Sequence, residues 1–181
     1  MGKTVLLQIT NLIFVFFPLT RWYKLKAKML NLAGVNCDSS IRIISSARIV
    51  TRNVQIGVDT FIGHQVLISG NENYKIQIGN NVDLAPRVCI VSGSHEIDMN
   101  GNHSAGKGSG GNVIIEDGVW IGANSTILPG VTIGKKAIIG AGSLVNKDIP
   151  SYCIAAGNPC KPIKRWNADL QIFESINQKY V

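Results

Sequence analysis

The chain has 181 residues, of which 45% are hydrophobic and 16% charged, with 19 glycines and a formal net charge of +7. A chain of this length buries a core without disulfides or metals, its hydrophobicity excludes intrinsic disorder, and its composition excludes a long coiled coil. The basic excess favours an anionic partner: a nucleotide, an acidic glycan, nucleic acid or a membrane surface. Four cysteines without a C-x-x-C pair indicate reduced core thiols in a cytoplasmic protein.

The first segment, residues 1–33, is predicted to form a helical cap. Its apolar run from Val5 to Phe17 has 13 residues, fewer than the roughly 20 that a membrane-spanning helix needs. Pro18 ends the run, and a basic stretch with interleaved aromatic residues follows from Arg21 to Lys28. Two interpretations stay open. The helix packs on the rest of the protein or on another subunit, or it lies in a membrane interface as a peripheral anchor at the inner face.

The middle of the chain contains a six-residue repeat of aliphatic side chains. It runs through Val50, Ile56, Ile62 and Ile68, through Ile78, Leu84 and Ile90, and through Ile115, Ile121, Ile127, Ile133, Ile139 and Val145. A small or β-branched residue stands four positions after most of them, as at Thr60, Val66, Val82, Val88, Val119, Ser125, Val131, Ala137 and Ser143. The spacing slips after Ile68 and is lost between Ile90 and Ile115.

A period of six fits no α-helix, but it fits β-strands because an even spacing returns side chains to the same face. Three such strands close a triangular coil of about 18 residues, and successive coils stack at the strand spacing of roughly 4.8 Å. We therefore predict an all-β solenoid of four to five coils over residues 34–166.

Three segments of the repeat resemble the hexapeptide-repeat acyltransferases: Gly118 to Gly122, Pro129 to Gly134, and Gly157 to Ile163, which reads Gly-Asn-Pro-Cys-Lys-Pro-Ile. The resemblance extends over roughly residues 44–164, and it is strongest to the sugar O-acetyltransferases that act on galactosides, maltose and nodulation factors. It implies a left-handed parallel β-helix, a homotrimer and acetyl-CoA as co-substrate, with no metal required.

The interruption contains a polar, glycine-rich segment, residues 96–112, predicted to be a loop that leaves the solenoid. His95 precedes it, where the resembling enzymes carry their general base, and an imidazole suits the removal of a hydroxyl proton near neutral pH. Glu96, Asp98 or a backbone carbonyl can orient the ring. By resemblance, the Ala123 N–H stabilises the oxyanion. His103, inside the loop, is a weaker candidate.

The resemblance also implies a coenzyme site and an acceptor site. Ala123, Ala141, Asn146, Lys147 and Lys161 fall at coenzyme positions. His64 and Gln65 stand near the position where related sugar acetyltransferases place an acceptor-binding asparagine, so the acceptor site departs from the galactoside pattern. Trp120 is predicted to wall the thioester or acceptor pocket, with a surface position at a subunit interface as the alternative.

The last segment, residues 167–181, is predicted to be a short helix that begins at Asn167 as N-cap. Leu170, Phe173 and Ile176 would lie on one face of that helix.

These features predict an acetyl-CoA-dependent O-acetyltransferase that acts on a sugar hydroxyl in surface polysaccharide or lipid-linked glycan biosynthesis. N-acylation of an amino-sugar and O-acetylation of serine remain alternatives within the family. A γ-class carbonic anhydrase would need His64, His95 and His103 on one zinc, although the close histidine spacing of that family is absent. A scaffold or nucleic-acid binder is disfavoured because the solenoid has no basic-aromatic binding platform.

Overall fold

The computed structural model describes residues 2–176, which form a triangular parallel β-helix closed at its N-terminal end by two helices. The helices are α1 (Lys3–Phe14) and α2 (Tyr23–Leu32). In chain order the strands are β1 (Asn36–Cys37), β2 (Arg42–Ile43), β3 (Arg48–Ile49), β4 (Val54–Ile56), β5 (Phe61–Ile62), β6 (Leu67–Ser69), β7 (Ile76–Ile78), β8 (Asp83–Leu84), β9 (Cys89–Val91), β10 (Gly93–Ile97), β11 (Ala105–Gly110), β12 (Val113–Ile115), β13 (Trp120–Ile121), β14 (Thr126–Ile127), β15 (Thr132–Ile133), β16 (Ile138–Ile139), β17 (Leu144–Val145), β18 (Cys153–Ala156), β19 (Lys161–Asn167) and β20 (Ile172–Ser175).

Three sheets form the sides of the prism. Sheet A has the order β1-β4-β7-β12-β15, sheet B the order β2-β5-β8-β13-β16-β18-β19-β20, and sheet C the order β3-β6-β9-β14-β17. Each coil contributes one strand to every sheet, and the pairing from coil to coil is parallel, as where Ile115 faces Ile133. The predicted solenoid is therefore confirmed, with five complete coils and β18 continuing sheet B beyond them.

The repeat residues point inward and stack in columns. Every aliphatic repeat position from Ile56 to Val145 is buried, and so is every small or β-branched residue predicted four positions later. Val50 is the exception, because 51% of its surface is exposed and its neighbour Ile49 takes the inward position. The first coil is therefore one residue out of phase with the predicted repeat, and the irregular corner at 51–53 absorbs the difference.

The helical cap satisfies the backbone edges that the first coil would leave open. In sheet C, the Asn11 side chain donates to the Ile49 carbonyl at 2.8 Å and accepts from the Ile49 N–H at 3.2 Å. Asn31 makes the same pair of contacts with Cys37 in sheet A. In sheet B, Lys26 Nζ donates to the Ile43 carbonyl at 2.9 Å. One polar side chain of the cap thus hydrogen-bonds to each of the three edge strands. Backbone N–H and C=O groups at a covered sheet edge need such partners.

Lys26 is the most deeply placed of these groups, since none of its surface is exposed. Its ammonium donates to the carbonyls of Pro18, Leu19 and Ile43, so it joins the linker between the helices to the first coil. The three carbonyls accept all of its protons and no carboxylate faces it among these contacts. Burial lowers the pKa of Lys26 to about 8 from 10.5, which still leaves it charged at neutral pH.

Neither helix is long and apolar enough to cross a bilayer, and this holds for every helix in residues 2–176.

The C-terminal segment is a β-hairpin, so the predicted helix over 167–181 is wrong for its described part; residues 177–181 lie outside the described residues. β19 pairs antiparallel with β18 and β20 with β19, and the Trp166 and Phe173 rings pack at 5.0 Å between centroids. The Asn167 side chain caps a turn and not a helix. It accepts hydrogen bonds from the N–H groups of Asp169 and Leu170 in the tight turn between β19 and β20. The open edge of sheet B therefore overrides the local helical pattern.

The position of Lys26 predicts how stability varies with pH. Because the pKa is lowered on folding, the unfolded chain binds more protons than the folded chain between about pH 8 and 10.5, and unfolding becomes harder as pH rises through that window. The free energy of unfolding of the native chain should therefore rise relative to that of Lys26→Met between these pH values, as measured by denaturant titration. Lys28→Met, which removes an exposed lysine of the same helix, should show no such trend. A flat or falling difference for Lys26→Met would contradict the assignment.

Candidate active site at the hairpin

The segment predicted as a loop is an ordered antiparallel hairpin of β10 and β11 that leaves the corner between sheets C and A after β9. Its first strand begins at Gly93, so His95 lies within the hairpin. The sequence analysis had placed His95 just before the extruded segment, and the structure differs in this detail. His95 faces Gly108 across the hairpin, and the register shifts between His95 and Ile97. His95 is therefore the last of three regularly paired residues at the base of the hairpin, and the bulge lies between it and the single pair near the tip.

The His95 ring is held in one tautomer by a backbone group. Its Nδ1 lies 2.9 Å from the Gly106 carbonyl oxygen. A carbonyl only accepts, so Nδ1 of the neutral ring carries the proton and Nε2 has a free lone pair. Glycine suits position 106 because a Cβ there would come within 2.7 Å of the Asp98 side chain. The hairpin therefore presents an exposed imidazole whose free nitrogen can accept a proton.

The two neighbouring carboxylates do not orient this imidazole. Asp98 accepts hydrogen bonds from the N–H groups of Asn100 and Gly101, both at 2.9 Å, and so closes the hairpin turn. Glu96 makes no side-chain hydrogen bond to His95 in the described structure. Of the three predicted options, the backbone carbonyl is the one that the structure realises.

An open cleft of about 380 Å³ lies beside His95. It is lined by small and polar residues from two successive coils and the hairpin: Ser69, Gly70, Asn71, Val91, Gly93, Ser94, His95 and Gly108. Ser69, Gly70 and Asn71 were not identified from the sequence. The signal that could have found them is the slip of the six-residue spacing after Ile68, because the extra residues form the loop that borders the cleft.

The predicted acceptor residues lie at a different corner of the same chain. His64 and Gln65 form the turn between sheets B and C in the second coil, where His64 Nδ1 is 2.7 Å from Ser46 Oγ. Gln65 adopts a left-handed backbone conformation with φ of 55°. Neither residue lines the His95 cleft within one chain.

Trp120 lies on the outer side of sheet B, and 53% of its surface is exposed. With Lys136, Ile138, Tyr152, Trp166 and Phe173 it lines an apolar cleft of about 460 Å³. This cleft shares no residue with the one beside His95. Within one chain, Trp120 therefore lies on the surface and away from the His95 cleft.

The predicted coenzyme residues form two groups. Ala123 and Ala141 stack at the corner between sheets B and C in the fourth and fifth coils, where the Gly142 N–H donates to the Ala123 carbonyl at 2.8 Å. The close fit requires glycine at 122, because a Cβ there would lie 2.5 Å from the Ala141 nitrogen. Ala123 and His95 consequently lie at opposite margins of sheet C.

The second group does come together. Asn146, Lys147 and Lys161 line a cavity of about 460 Å³ with Asp148, Pro150, Pro159, Cys160 and Pro162. Burial raises the pKa of the Cys160 thiol, so the cavity offers two ammonium groups, a neutral thiol and the Asp148 carboxylate, which accepts from the Thr132 N–H at 2.7 Å. It lies at the same prism corner as His95 but two coils further on, roughly 10 Å along the axis at the strand spacing.

The three histidines are not gathered by the fold. His64 and His95 occupy different corners, and His103 lies near the hairpin tip. Between residues 2 and 176, no three His, Cys, Asp or Glu side chains are grouped so as to hold a metal ion.

Comparison with known proteins gives concordant matches. The family profile described as bacterial transferase hexapeptide (six repeats) matches residues 112–147. The galactoside O-acetyltransferase of Lactococcus lactis is 35% identical over 94% of this chain and 80% of its own length. The crystal structure of a maltose O-acetyltransferase from Clostridium difficile superposes with a TM-score of 0.68 at 33% identity, covering 90% of this chain and 83% of that one.

A galactoside acetyltransferase solved in complex with coenzyme A superposes with a TM-score of 0.71 at 25% identity, covering 92% of this chain and 82% of that one. Against several other curated relatives, the match spans only about half of the relative, between 43% and 56% of its length.

Proposed function

This chain belongs to the bacterial hexapeptide-repeat transferase family, with the left-handed parallel β-helix fold, and we propose that it transfers an acetyl group from acetyl-CoA to a sugar hydroxyl. The relatives named galactoside and maltose O-acetyltransferase support the reaction and the class of acceptor. The observation that carries the proposal is the His95 imidazole, fixed by the Gly106 carbonyl with Nε2 free beside an open cleft.

The chemistry follows from that tautomer. Nε2 of His95 accepts the proton of the sugar hydroxyl as its oxygen attacks the thioester carbonyl carbon. The tetrahedral oxyanion collapses, the carbon–sulfur bond breaks, and the imidazolium returns the proton to the departing thiolate. The products are the acetyl ester and free coenzyme A, and no covalent enzyme intermediate is needed. Because Nδ1 keeps its proton and its carbonyl partner throughout, the ring holds its orientation.

Because the two groups of predicted residues lie at opposite margins of sheet C in one chain, the coenzyme is proposed to contact one group in each of two neighbouring chains. Lys147 and Lys161 supply positive charge for its phosphates, and Asn146 adds a polar side chain in the same cavity. Ala123 and Ala141 leave room for the slim pantetheine arm because their side chains are single methyl groups. The Lys161 ammonium supplies a positive charge for a phosphate, but it cannot form the two parallel hydrogen bonds that an arginine side chain makes.

A homotrimer is proposed to complete the site. Within one chain, His95 lies at the corner of sheets C and A, whereas Ala123, His64 and Gln65 lie at the corner of sheets B and C. A threefold assembly can bring one chain's His95 corner to the other corner of its neighbour. Light scattering should give about three times the mass of one chain; a stable, active monomer would contradict this arrangement.

Replacement of His95 tests the reaction. Purified protein mixed with acetyl-CoA and a panel of galactosides, maltose and nucleotide sugars should yield products heavier by one acetyl group, detected by mass spectrometry. His95→Ala should lower kcat about 100-fold or more, since the general base is lost, while binding of coenzyme A stays nearly unchanged. His103→Ala is the matched control, because it removes an exposed histidine of the same hairpin. Near-normal turnover in His95→Ala would refute the assignment.

Replacement of the two lysines tests the coenzyme site. Lys147→Gln and Lys161→Gln should each raise KM for acetyl-CoA roughly tenfold with a smaller change in kcat, because charge-assisted contacts to phosphate are lost. Lys135→Gln removes an exposed charge from the opposite side of sheet A and should leave KM within about twofold. If all three variants behave alike, the cavity at Lys161 is not the phosphate site.

A further inference from the structure

The outer face of the helical cap is apolar, although it faces solvent. In α1 the buried residues Leu7, Thr10 and Phe14 face the first coil. On the other side, 62% of Leu12 and 81% of Phe16 are exposed. We call this surface the apolar ridge; its exposed large side chains are Val5, Leu12, Val15, Phe16, Leu19 and Trp22. A cluster of exposed large apolar side chains in one short segment, here α1 and the linker that follows it, commonly marks an interaction site.

The same segment concentrates the positive charge of the chain. Residues 1–37 contain five basic residues and no acidic one, whereas the other 144 residues contain thirteen basic and eleven acidic residues. Lys26 is buried under the helices, and Lys3, Arg21, Lys24 and Lys28 are exposed. Arg21 in the linker and Lys24 and Lys28 on α2 therefore border the apolar ridge, and residues 1–37 contain no carboxylate side chain to neutralise them.

We propose that the helical cap docks on an anionic lipid surface, with the apolar ridge buried between headgroups and acyl chains and with Arg21, Lys24 and Lys28 at the headgroup phosphates. Apolar side chains bordered by lysine, arginine and tryptophan match the layered chemistry of a membrane interface. This docking would place the transferase where a lipid-linked acceptor is available, although the docking itself does not depend on the proposed reaction.

The charge pattern favours lipid over the other partners for this surface. A second copy packed through the same ridge would bring two sets of exposed basic residues together without an acidic residue from either cap. A nucleic acid would satisfy the charge but would leave Leu12 and Phe16 in water, because a phosphate backbone offers nothing apolar to bury them. A bilayer with anionic headgroups satisfies both features together.

Vesicle flotation of the full chain tests the proposal. The protein should float with phosphatidylcholine vesicles that contain about one third phosphatidylglycerol, and much less with phosphatidylcholine alone. Raising the salt concentration should weaken binding, because the interaction between headgroups and basic residues is screened within a Debye length. Circular dichroism of each variant verifies that it is folded.

Two pairs of variants separate the apolar and charged contributions. The double variant Leu12→Ser and Phe16→Ser should lower partitioning at least tenfold, whereas Leu170→Ser, which alters a residue that is also 61% exposed, should not. Gln substitutions at Arg21, Lys24 and Lys28 should lower binding to anionic vesicles by roughly fivefold per residue at low salt. Gln substitutions at Lys75, Lys107 and Lys135 remove the same number of charges outside the cap and should change binding to anionic vesicles little.

Three results would overturn the proposal: absence of flotation at low salt, equal binding to neutral vesicles, or equal effects of the cap variants and their controls. A change in molar mass of the Leu12 and Phe16 variant without any effect on flotation would instead identify the ridge as a subunit contact. RNA binding by a chain that does not float would identify a nucleic-acid surface. Acetylation of a soluble acceptor by the cap variants should remain unchanged, so failure here is distinguishable from failure of the proposed reaction.

Discussion

The structure depends on an unbroken ladder of parallel hydrogen bonds that joins each coil to the next. Such a ladder has open ends, and the first coil presents three strand edges at once. Asn11, Lys26 and Asn31 pair with one edge each, through Ile49, Ile43 and Cys37. The two helices therefore do more than cover the apolar column, because their side chains also hydrogen-bond to backbone groups of the first strand in each of the three sheets.

The candidate site forms where this regular stacking is interrupted. A coil that follows the six-residue period turns its aliphatic residues inward and leaves short corners, with little space for a ligand. Two insertions change this at the corner of sheets C and A: the loop at residues 70–75 and the hairpin of β10 and β11. Together they create the cleft beside His95. The solenoid thus supplies a rigid base, and the reactive group stands on an element outside the repeat.

The predictions from sequence succeeded where a pattern was local and repeated. The aliphatic positions from Ile56 to Val145 are all buried as expected, and His95 does border a cleft. They failed where a distant contact decided the outcome. Leu170, Phe173 and Ile176 have helical spacing, yet the segment pairs with β19 because Trp166 and the open edge of sheet B are available to it. Val50 was placed inward because the period gives no sign of the irregular corner that follows Ile49.

The sequence by itself determined the triangular solenoid, the helical cap and the candidate catalytic histidine. Both the six-residue period and the interruption in it can be recognised from residues that are close together in the chain. Only the tertiary structure decided that the interruption is a hairpin, that Gly106 fixes the His95 tautomer, and that Ala123, His64 and Trp120 stand apart from His95 in one chain. These facts depend on which corner or face of the prism each residue occupies. That position follows from the accumulated length of every coil before it, which no single motif records.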